Sequence, residues 1–421
     1  MPDVYILGAH STPFGKRPAD TFRDLTRETY LGVLADAGLE TGDDIEFAWF
    51  GNCGMGTFGQ ACIRGQTCFT PLVNEGLFPE RVPMINVEGG CATASMALNG
   101  AVKDVASGAT EVSLAIGVEK TFIKGDPEKT QELFSNGIDQ LNPAEWHEYY
   151  SRAAKETGKQ FDPQGGGGTV FMDTYAMQTA WHMQKYGTTQ KQIAEGASKN
   201  HWHGSMNPNA QYRFEVSVED ALADREISYP LTRSMCAPIG DGAASAIVCS
   251  ADYLAAQPAD VRKRAVKVAA CQMTGGKYRS FDEPGLSLKA AQKAYKQAGV
   301  GPDDIDIAEV HDATSFCEIY QVEMMGFCEI GTGGKYIESG ATRLGGARPI
   351  NLSGGLVSKG HPVGATGLSM IHELTTQLRG EAGDRQADAP RYALAENGGG
   401  VMGFDEAACA VTILQAPEDG Q

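Results

Sequence analysis

The chain has 421 residues, enough for two or three domain-sized units, and its 42% hydrophobic and 21% charged residues describe an ordinary folded protein, not a disordered one. Acidic residues exceed basic ones by 53 − 35 = 18, which argues against nucleic-acid binding and demands a local cationic pocket for any anionic ligand. No apolar run approaches a membrane span, Met1–Gly8 lacks the basic and apolar stretches of a secretion signal, and the ten cysteines include no C-x-x-C pair, so a reducing, cytoplasmic setting with no metal site is expected.

In chain order, Val4–Leu7 is a short apolar run read as a first strand. Leu25–Leu34 has helical spacing, with Gly38 as its stop. Phe47–Phe50 and Ile85–Val87 predict two more strands. Between them, Gly54-Met-Gly-Thr-Phe-Gly59 matches G-x-G-x-x-G, the mark of a nicotinamide-dependent dehydrogenase. That motif also needs a helix opening at the turn and an acid about 20 residues on. Pro71 comes early, and Glu80 stands beside Pro79 instead of ending a strand. The turn Glu88-Gly-Gly90 leads into a helix over Ala92–Val105. Its Ala94, Ala97, Leu98, Ala101, Val102 and Val105 spread over more than one face, which predicts burial on several sides. Residues 119–180 hold Trp146, His147, Tyr149, Tyr150 and the run Gly165–Gly168. They read as an inserted loop domain, either a place for substrate contacts or a structural excursion. His201-Trp-His203 lacks metal-site spacing and reads as structural.

Three segments recur in the same order. Ala37–Ala48 matches Ala298–Ala308, Ile85–Gly90 matches Ile350–Gly355, and Asp241–Val248 matches Asp405–Thr412. Two copies of one unit follow: residues 1–118 with 181–250, and residues 265–421, with 119–180 inserted in the first. Each unit alternates strands and helices, which predicts mostly parallel sheets covered on both faces. Packed together, they form an α/β fold of two duplicated units in α/β/α/β/α layers.

Cys91 follows a strand and two glycines and opens a helix, where free N–H groups and the helix dipole favour thiolate. The bland alternative is a buried, inert cysteine. A thiolate needs a base. His361, in Gly360-His-Pro-Val-Gly-Ala-Thr-Gly367, precedes the predicted helix Leu368–Leu378 at the second unit's analogue of the Cys91 turn. A surface-loop histidine is the other reading. His311 follows the strand Ile305–Val310, a usual place for site residues in α/β sheets, and Asp312 is placed either to orient a ring or to form a turn. Backbone N–H groups of Ala395-Glu-Asn-Gly-Gly-Gly400 are candidates for an oxyanion hole.

Taken together, Gly89-Gly-Cys-Ala-Thr-Ala-Ser95, Ser198-Lys-Asn-His201 with Asn207–Gln211, Pro230–Arg233, Asp241–Ala244, His311-Asp312 and Gly360–Gly367 resemble the thiolase family, its sterol-carrier-protein type, over essentially the whole length. The resemblance implies cleavage of a 3-ketoacyl-CoA by CoA through an acyl-cysteine, or acyl transfer in the condensing direction. It implies Cys91 as nucleophile, His361 as its activator, His311 with His361 holding the enolate oxygen, and the N–H groups of Cys91 and Gly398 holding the tetrahedral oxyanion. The family's second cysteine is missing: its two alternative positions carry Ala313 and Glu396. Either Glu396 takes over acid/base work, which requires burial to raise its pKa, or another residue does, or the chain is a catalytically impaired scaffold subunit. Relatives with altered acid/base residues imply a small zinc-ribbon/OB-fold partner and unusual acyl groups, such as the aryl group of benzoylsuccinyl-CoA. The resemblance also implies a homodimer, coenzyme A as substrate and no permanently bound cofactor. Lys199, Arg213, Arg233 and Lys359 are the candidate contacts for the CoA phosphates.

Overall fold

A computed structural model describes residues 2–161 and 170–417; the Gly165–Gly168 run lies outside them. Nine strands form one sheet: β1 (Val4–Ser11), β2 (Phe47–Gly51), β3 (Met84–Val87), β4 (Val112–Lys120), β5 (Asp241–Ser250), β6 (Val266–Gly275), β7 (Ile307–Glu309), β8 (Tyr392–Gly399) and β9 (Ala408–Gln415). Their order is β3-β2-β4-β5-β1-β6-β9-β8-β7. Read outward from the centre, β1-β5-β4-β2-β3 in one half is matched by β6-β9-β8-β7 in the other. Ile350, which bridges Ala308 in parallel, stands where β3 stands in the first half. Both halves run through the same pairings: antiparallel, antiparallel, parallel, parallel. The duplication seen as three short sequence matches is therefore a duplication of sheet topology. β1 and β6 join the halves through Tyr5–Lys267 and Ile6–Val266.

The sheet is mixed, not mostly parallel as expected; among the described residues only the strand pairs β2/β3, β2/β4 and β7/β8 are parallel. Chain length explains one reversal. A parallel return needs a crossover of about a dozen residues or more, and the connection 400–407 between β8 and β9 is too short for one.

Ten helices matter for the argument: α1 (Phe22–Ala37), α2 (Arg64–Asn74), α3 (Thr93–Ala106), α4 (Pro127–Ser135), α5 (Pro143–Glu156), α6 (Val170–Tyr186), α7 (Gln190–Ser205), α8 (Leu286–Ala298), α9 (Ser315–Met324) and α10 (Thr366–Leu378). α1 starts at a Thr21 capping box and stops at Gly38, which is left-handed as a helix-terminating glycine requires. α1 and α2 cover the outer face of the first half, and α8 and α9 that of the second. α3 and α10 form the middle layer, where Leu98, Val102 and Val105 meet Leu368, Ile371 and Leu374 in one core. Burying side chains of this size is worth about 1.5–3 kcal/mol each, so this layer holds the two halves against each other. The small apolar residues of α3 are buried on several sides, as their spacing predicts.

The 119–180 segment supplies α4, α5 and the start of α6. Trp146 and Tyr150 serve packing: they join Ile138, Met177, Phe281 and Phe404 in a separate core that anchors the segment to the second half. Among the described residues, no helix is long and apolar enough to cross a membrane.

Candidate active site

Cys91 sits in a single tight turn, Gly90–Ala92, directly before α3. Gly90 has φ +58°, and a Cβ there would lie 2.3 Å from Gly400 N. A Cβ on Gly399 would lie 2.1 Å from Ala92 N and 2.4 Å from Cys91 N. The turn thus rests on the end of β8, and the glycines are there because any side chain would push the halves apart. The same packing brings His361, just ahead of α10, to the thiol: Nε2 is 2.9 Å from Cys91 Sγ. His361 Nδ1 is 2.8 Å from Thr366 Oγ1, and that hydroxyl donates to Pro362 O at 3.1 Å. A hydroxyl has one hydrogen to give, so Thr366 accepts from Nδ1–H. Nε2 is therefore left with a lone pair facing the thiol.

The thiol itself departs from expectation. Burial first, then the neighbouring Cys53 and Glu406, push Cys91 up and not toward thiolate. The helix start offers its dipole, but burial outweighs it. Burial, with His311 and Lys359 nearby, also holds His361 well below its ordinary value. The resting pair is a neutral thiol and a neutral imidazole, so the proton moves as the sulfur attacks.

His311 lies at the end of β7, its ring centroid 5.3 Å from that of His361. Burial lowers it to about 4, so it is a neutral ring. Its Nε2 is buried and has no hydrogen-bond partner among the described residues. Asp312 does not orient that ring; its carboxyl accepts from Asn200 Nδ2 at 2.8 Å and Leu356 N at 2.6 Å.

Glu396, on β8, is fully buried. Burial, then Glu406, raises its pKa from 4.5 to about 8, so it carries a proton at neutral pH. Both of its oxygens have partners in the fold. Oε2 accepts from His311 N at 3.0 Å, Oε1 meets the Cys409 thiol at 3.3 Å, and the carboxyl does not line the cavity beside Cys91. It fixes the backbone that carries His311. A raised folded pKa stabilises below the unfolded value and loses that contribution as pH rises through the folded one. Wild type is therefore expected to lose Tm relative to Glu396→Gln between about pH 4.5 and pH 8, measured by calorimetry across that window; parallel pH profiles would contradict it. Gly398, the expected oxyanion donor, sits under Glu406, whose Cδ would lie 2.7 Å from a Cβ on it.

A cavity of about 800 Å³ opens beside Cys91 and His361. Phe122, Phe134, Phe171, Tyr175 and Tyr212 line it, as does Ala313. Four of these five aromatics come from the 119–180 segment, for which substrate contacts and a structural excursion were the two expectations. Tyr175 went unnoticed in the sequence, where no motif surrounds it. It lines the cavity, its hydroxyl bonds to no described residue, and burial, then Cys317, Cys91, Glu406 and Glu396, hold it well above the ordinary tyrosine value, protonated. Of the four proposed phosphate contacts, Arg233 alone lines the cavity. Lys199 is buried against Glu318 Oε1 at 2.6 Å, and Lys359 is buried 3.5 Å from Glu309 Oε2. Both are internal counter-charges with no path to a ligand. Arg213 is exposed but lies off the cavity wall. Lys16 and Arg225, exposed cations without a motif, line the cavity with Arg233.

The G-x-G-x-x-G loop forms a short turn over Gly54–Phe58. The N–H groups of Cys53 and Gly54 donate to the buried Glu119 carboxyl at 2.9 and 3.1 Å. An internal acid occupies the donors that a dinucleotide phosphate would need.

Comparison with known proteins gives the family. The family model for the thiolase N-terminal domain matches residues 4–226, and that for the thiolase C-terminal domain matches residues 286–414. The chain is 36% identical over 409 residues to an acetyl-CoA acetyltransferase of Methanothermobacter thermautotrophicus, covering 96% of this chain and 98% of that one. It is 35% identical to sterol carrier protein 2 of Bos taurus over 98% of this chain and 75% of the relative. It is 30% identical to the benzoylsuccinyl-CoA thiolase subunit BbsB of Thauera aromatica over 94% of each. Among solved structures, the Ltp2-ChsH2(DUF35) aldolase shares the fold with a TM-score of 0.76 at 22% identity, over 100% of this chain and 99% of that one. With both halves matched by family models and a cysteine–histidine pair built from the two halves' equivalent turns, the chain belongs to the thiolase family and is an acyltransferase.

Proposed function

We propose that this enzyme cleaves a 3-ketoacyl-CoA carrying a bulky apolar or aryl acyl group, with CoA as second substrate, through an acyl-Cys91 intermediate. The observation that carries this reading is the 2.9 Å contact between Cys91 Sγ and His361 Nε2, set in the wall of an aromatic-lined cavity. As Sγ attacks the ketone, Nε2 takes its proton. The backbone N–H groups of Cys91 and Gly398 hold the resulting alkoxide. The carbon–carbon bond then breaks to leave acyl-Cys91 and a thioester enolate, whose oxygen lies against His311 and His361. The enolate carbon needs a proton. Glu396 has both oxygens engaged, and Tyr175 lines the cavity with a hydroxyl that bonds to no described residue, so Tyr175 is assigned that step. The CoA thiol then gives its proton to the Tyr175 phenolate and attacks the acyl-cysteine, and the departing Cys91 sulfur takes back the proton held on His361. Run backwards, the same groups condense two acyl units.

Arg225, Arg233 and Lys16 are assigned to the CoA phosphates, answering the anionic ligand that a net −18 chain must otherwise repel. No permanent cofactor is needed for these steps. A homodimer is proposed through β3, the outer strand of the first half, where Ile85 is 41% exposed and an unpaired strand edge invites a second copy. A further small subunit, of zinc-ribbon/OB-fold type, is proposed on the strength of two relatives, one named as a subunit and one solved with a second component. A reducing, cytoplasmic compartment suits an enzyme whose nucleophile must stay a thiol.

The test is intact-mass and peptide mass spectrometry after exposure to acetyl-, aliphatic and aryl 3-ketoacyl-CoA esters. An adduct on Cys91 is expected, strongest with the aryl esters. No adduct with any ester would favour a scaffold subunit instead. Tyr175→Phe is expected to keep that adduct while slowing deuterium exchange at the thioester α-carbon by about 10²–10⁴-fold; unchanged exchange would remove Tyr175 from the mechanism.

A further inference from the structure

Cys91 Sγ and one ring nitrogen each of His311 and His361 lie within 4.8 Å of one another. The three donors come from three separate segments: the turn before α3, the end of β7 and the loop before α10. Their backbones are held independently. Gly399 packs on the Cys91 amide, Glu396 holds the His311 amide, and Thr366 holds the far side of the His361 ring. His311 Nε2 is buried and bonds to no described residue. A thiol and one nitrogen from each of two imidazoles, one of those rings carrying a buried unpartnered nitrogen, make a sulfur–nitrogen–nitrogen donor set.

We propose that Cys91, His311 and His361 form a binding site for a borderline-soft divalent cation of the Zn²⁺ type, and that occupancy reversibly blocks acylation of Cys91. Zinc takes sulfur at about 2.3 Å and imidazole nitrogen at about 2.0–2.1 Å, so tetrahedral donors stand roughly 3.3–3.6 Å apart. The observed triangle, whose sides are at most 4.8 Å, reaches that size by opening the 2.9 Å Cys91–His361 contact slightly and drawing His311 inward by at most about 1.5 Å. The cavity supplies the fourth direction, so three protein ligands leave one position for water. The donor set excludes Mg²⁺ and Ca²⁺, which take oxygen ligands. On binding, the Sγ–H bond breaks, the Sγ–metal bond forms and the proton passes to buffer; nothing is oxidised or reduced. The cation and the acyl group compete for one sulfur, so the site is mutually exclusive with turnover.

The test uses the full-length protein, Co²⁺ as a spectroscopic probe and Zn²⁺ as competitor. One equivalent of Co²⁺ is expected to give a thiolate-to-cobalt charge-transfer band, displaced stoichiometrically by Zn²⁺. The band is expected to vanish in Cys91→Ser, and affinity to fall at least tenfold in His311→Ala. Alkylation of Cys91 by iodoacetamide is expected to slow at least tenfold when Zn²⁺ is bound. A cobalt spectrum unchanged in Cys91→Ser would place the metal elsewhere, for instance at exposed Cys62, and overturn the proposal. Absence of stoichiometric binding would overturn it as well. None of these readouts needs turnover, so they stand or fall separately from the acyl-Cys91 reading.

Discussion

Cys91→Ser is expected to lower thiolysis by at least about 10³-fold and to abolish the acyl adduct while leaving affinity for CoA within about twofold. Removing a covalent nucleophile costs as much as 10⁶-fold in enzymes where nucleophile and base act as a unit, and the geometry here is of that kind. Sγ and His361 Nε2 are 2.9 Å apart, and Thr366 holds the ring in the tautomer that accepts the thiol proton. A hydroxyl in the same place is a weaker acid and a poorer nucleophile than the thiol. His361, held neutral by burial, offers no extra driving force to ionise it. CoA affinity is spared because the proposed phosphate contacts are Lys16, Arg225 and Arg233, and Cys91 is not one of them. Single-turnover mass spectrometry and CoA titration check the two halves of this expectation. A serine variant retaining a tenth of the activity would mean that the reaction does not pass through Cys91.

What could be read from the sequence was what local pattern encodes. The Gly-Gly-Cys turn, the Gly-His-Pro loop and the apolar run of β1 each carry their structure within a few residues. Duplication was legible because both copies keep the same short matches in order. What was not legible depends on partners from distant segments. Lys199 and Lys359 look like free cations in sequence; they are internal because Glu318 and Glu309 meet them across the fold. Glu396 sits at the position of a family cysteine, yet its carboxyl is tied by His311 N and by Cys409. The latter contact is set by β8/β9 register: Glu396 pairs with Val411, so Cys409 is its diagonal neighbour on the same face. The polarity of β9 could have been argued from the length of the 400–407 connection, a signal that was present. Tyr175 had none, since its place in the cavity wall depends on how distant segments pack.

Lys199→Met is expected to destabilise the protein by about 3–5 kcal/mol, the usual cost of removing one member of a buried ion pair. With an unfolding entropy near 2.1 cal/mol/K per residue, that is a fall in Tm of about 3–6 °C. The reason is the company Lys199 keeps. Its Nζ is 2.6 Å from Glu318 Oε1 and 2.7 Å from Ile350 O. The other Glu318 oxygen takes Asn200 Nδ2 at 2.8 Å and Asn351 Nδ2 at 2.9 Å, and Asn200 also reaches Asp312. Methionine fills the volume but leaves Glu318 with no counter-charge beside it, next to an Asp312 carboxyl already pushed well up by burial. Asp312 adjoins His311, so loss of this network also loosens the ring that faces the enolate. The variant should show lowered kcat with CoA affinity unchanged. A phosphate-binding lysine would show the reverse: CoA affinity lost, Tm intact. Adding Glu318→Gln removes the orphaned charge while keeping an acceptor for Asn200, and should recover part of the lost Tm. The double variant separates the buried charge from the missing side chain, because a packing defect at Lys199 would not be relieved by changing its partner.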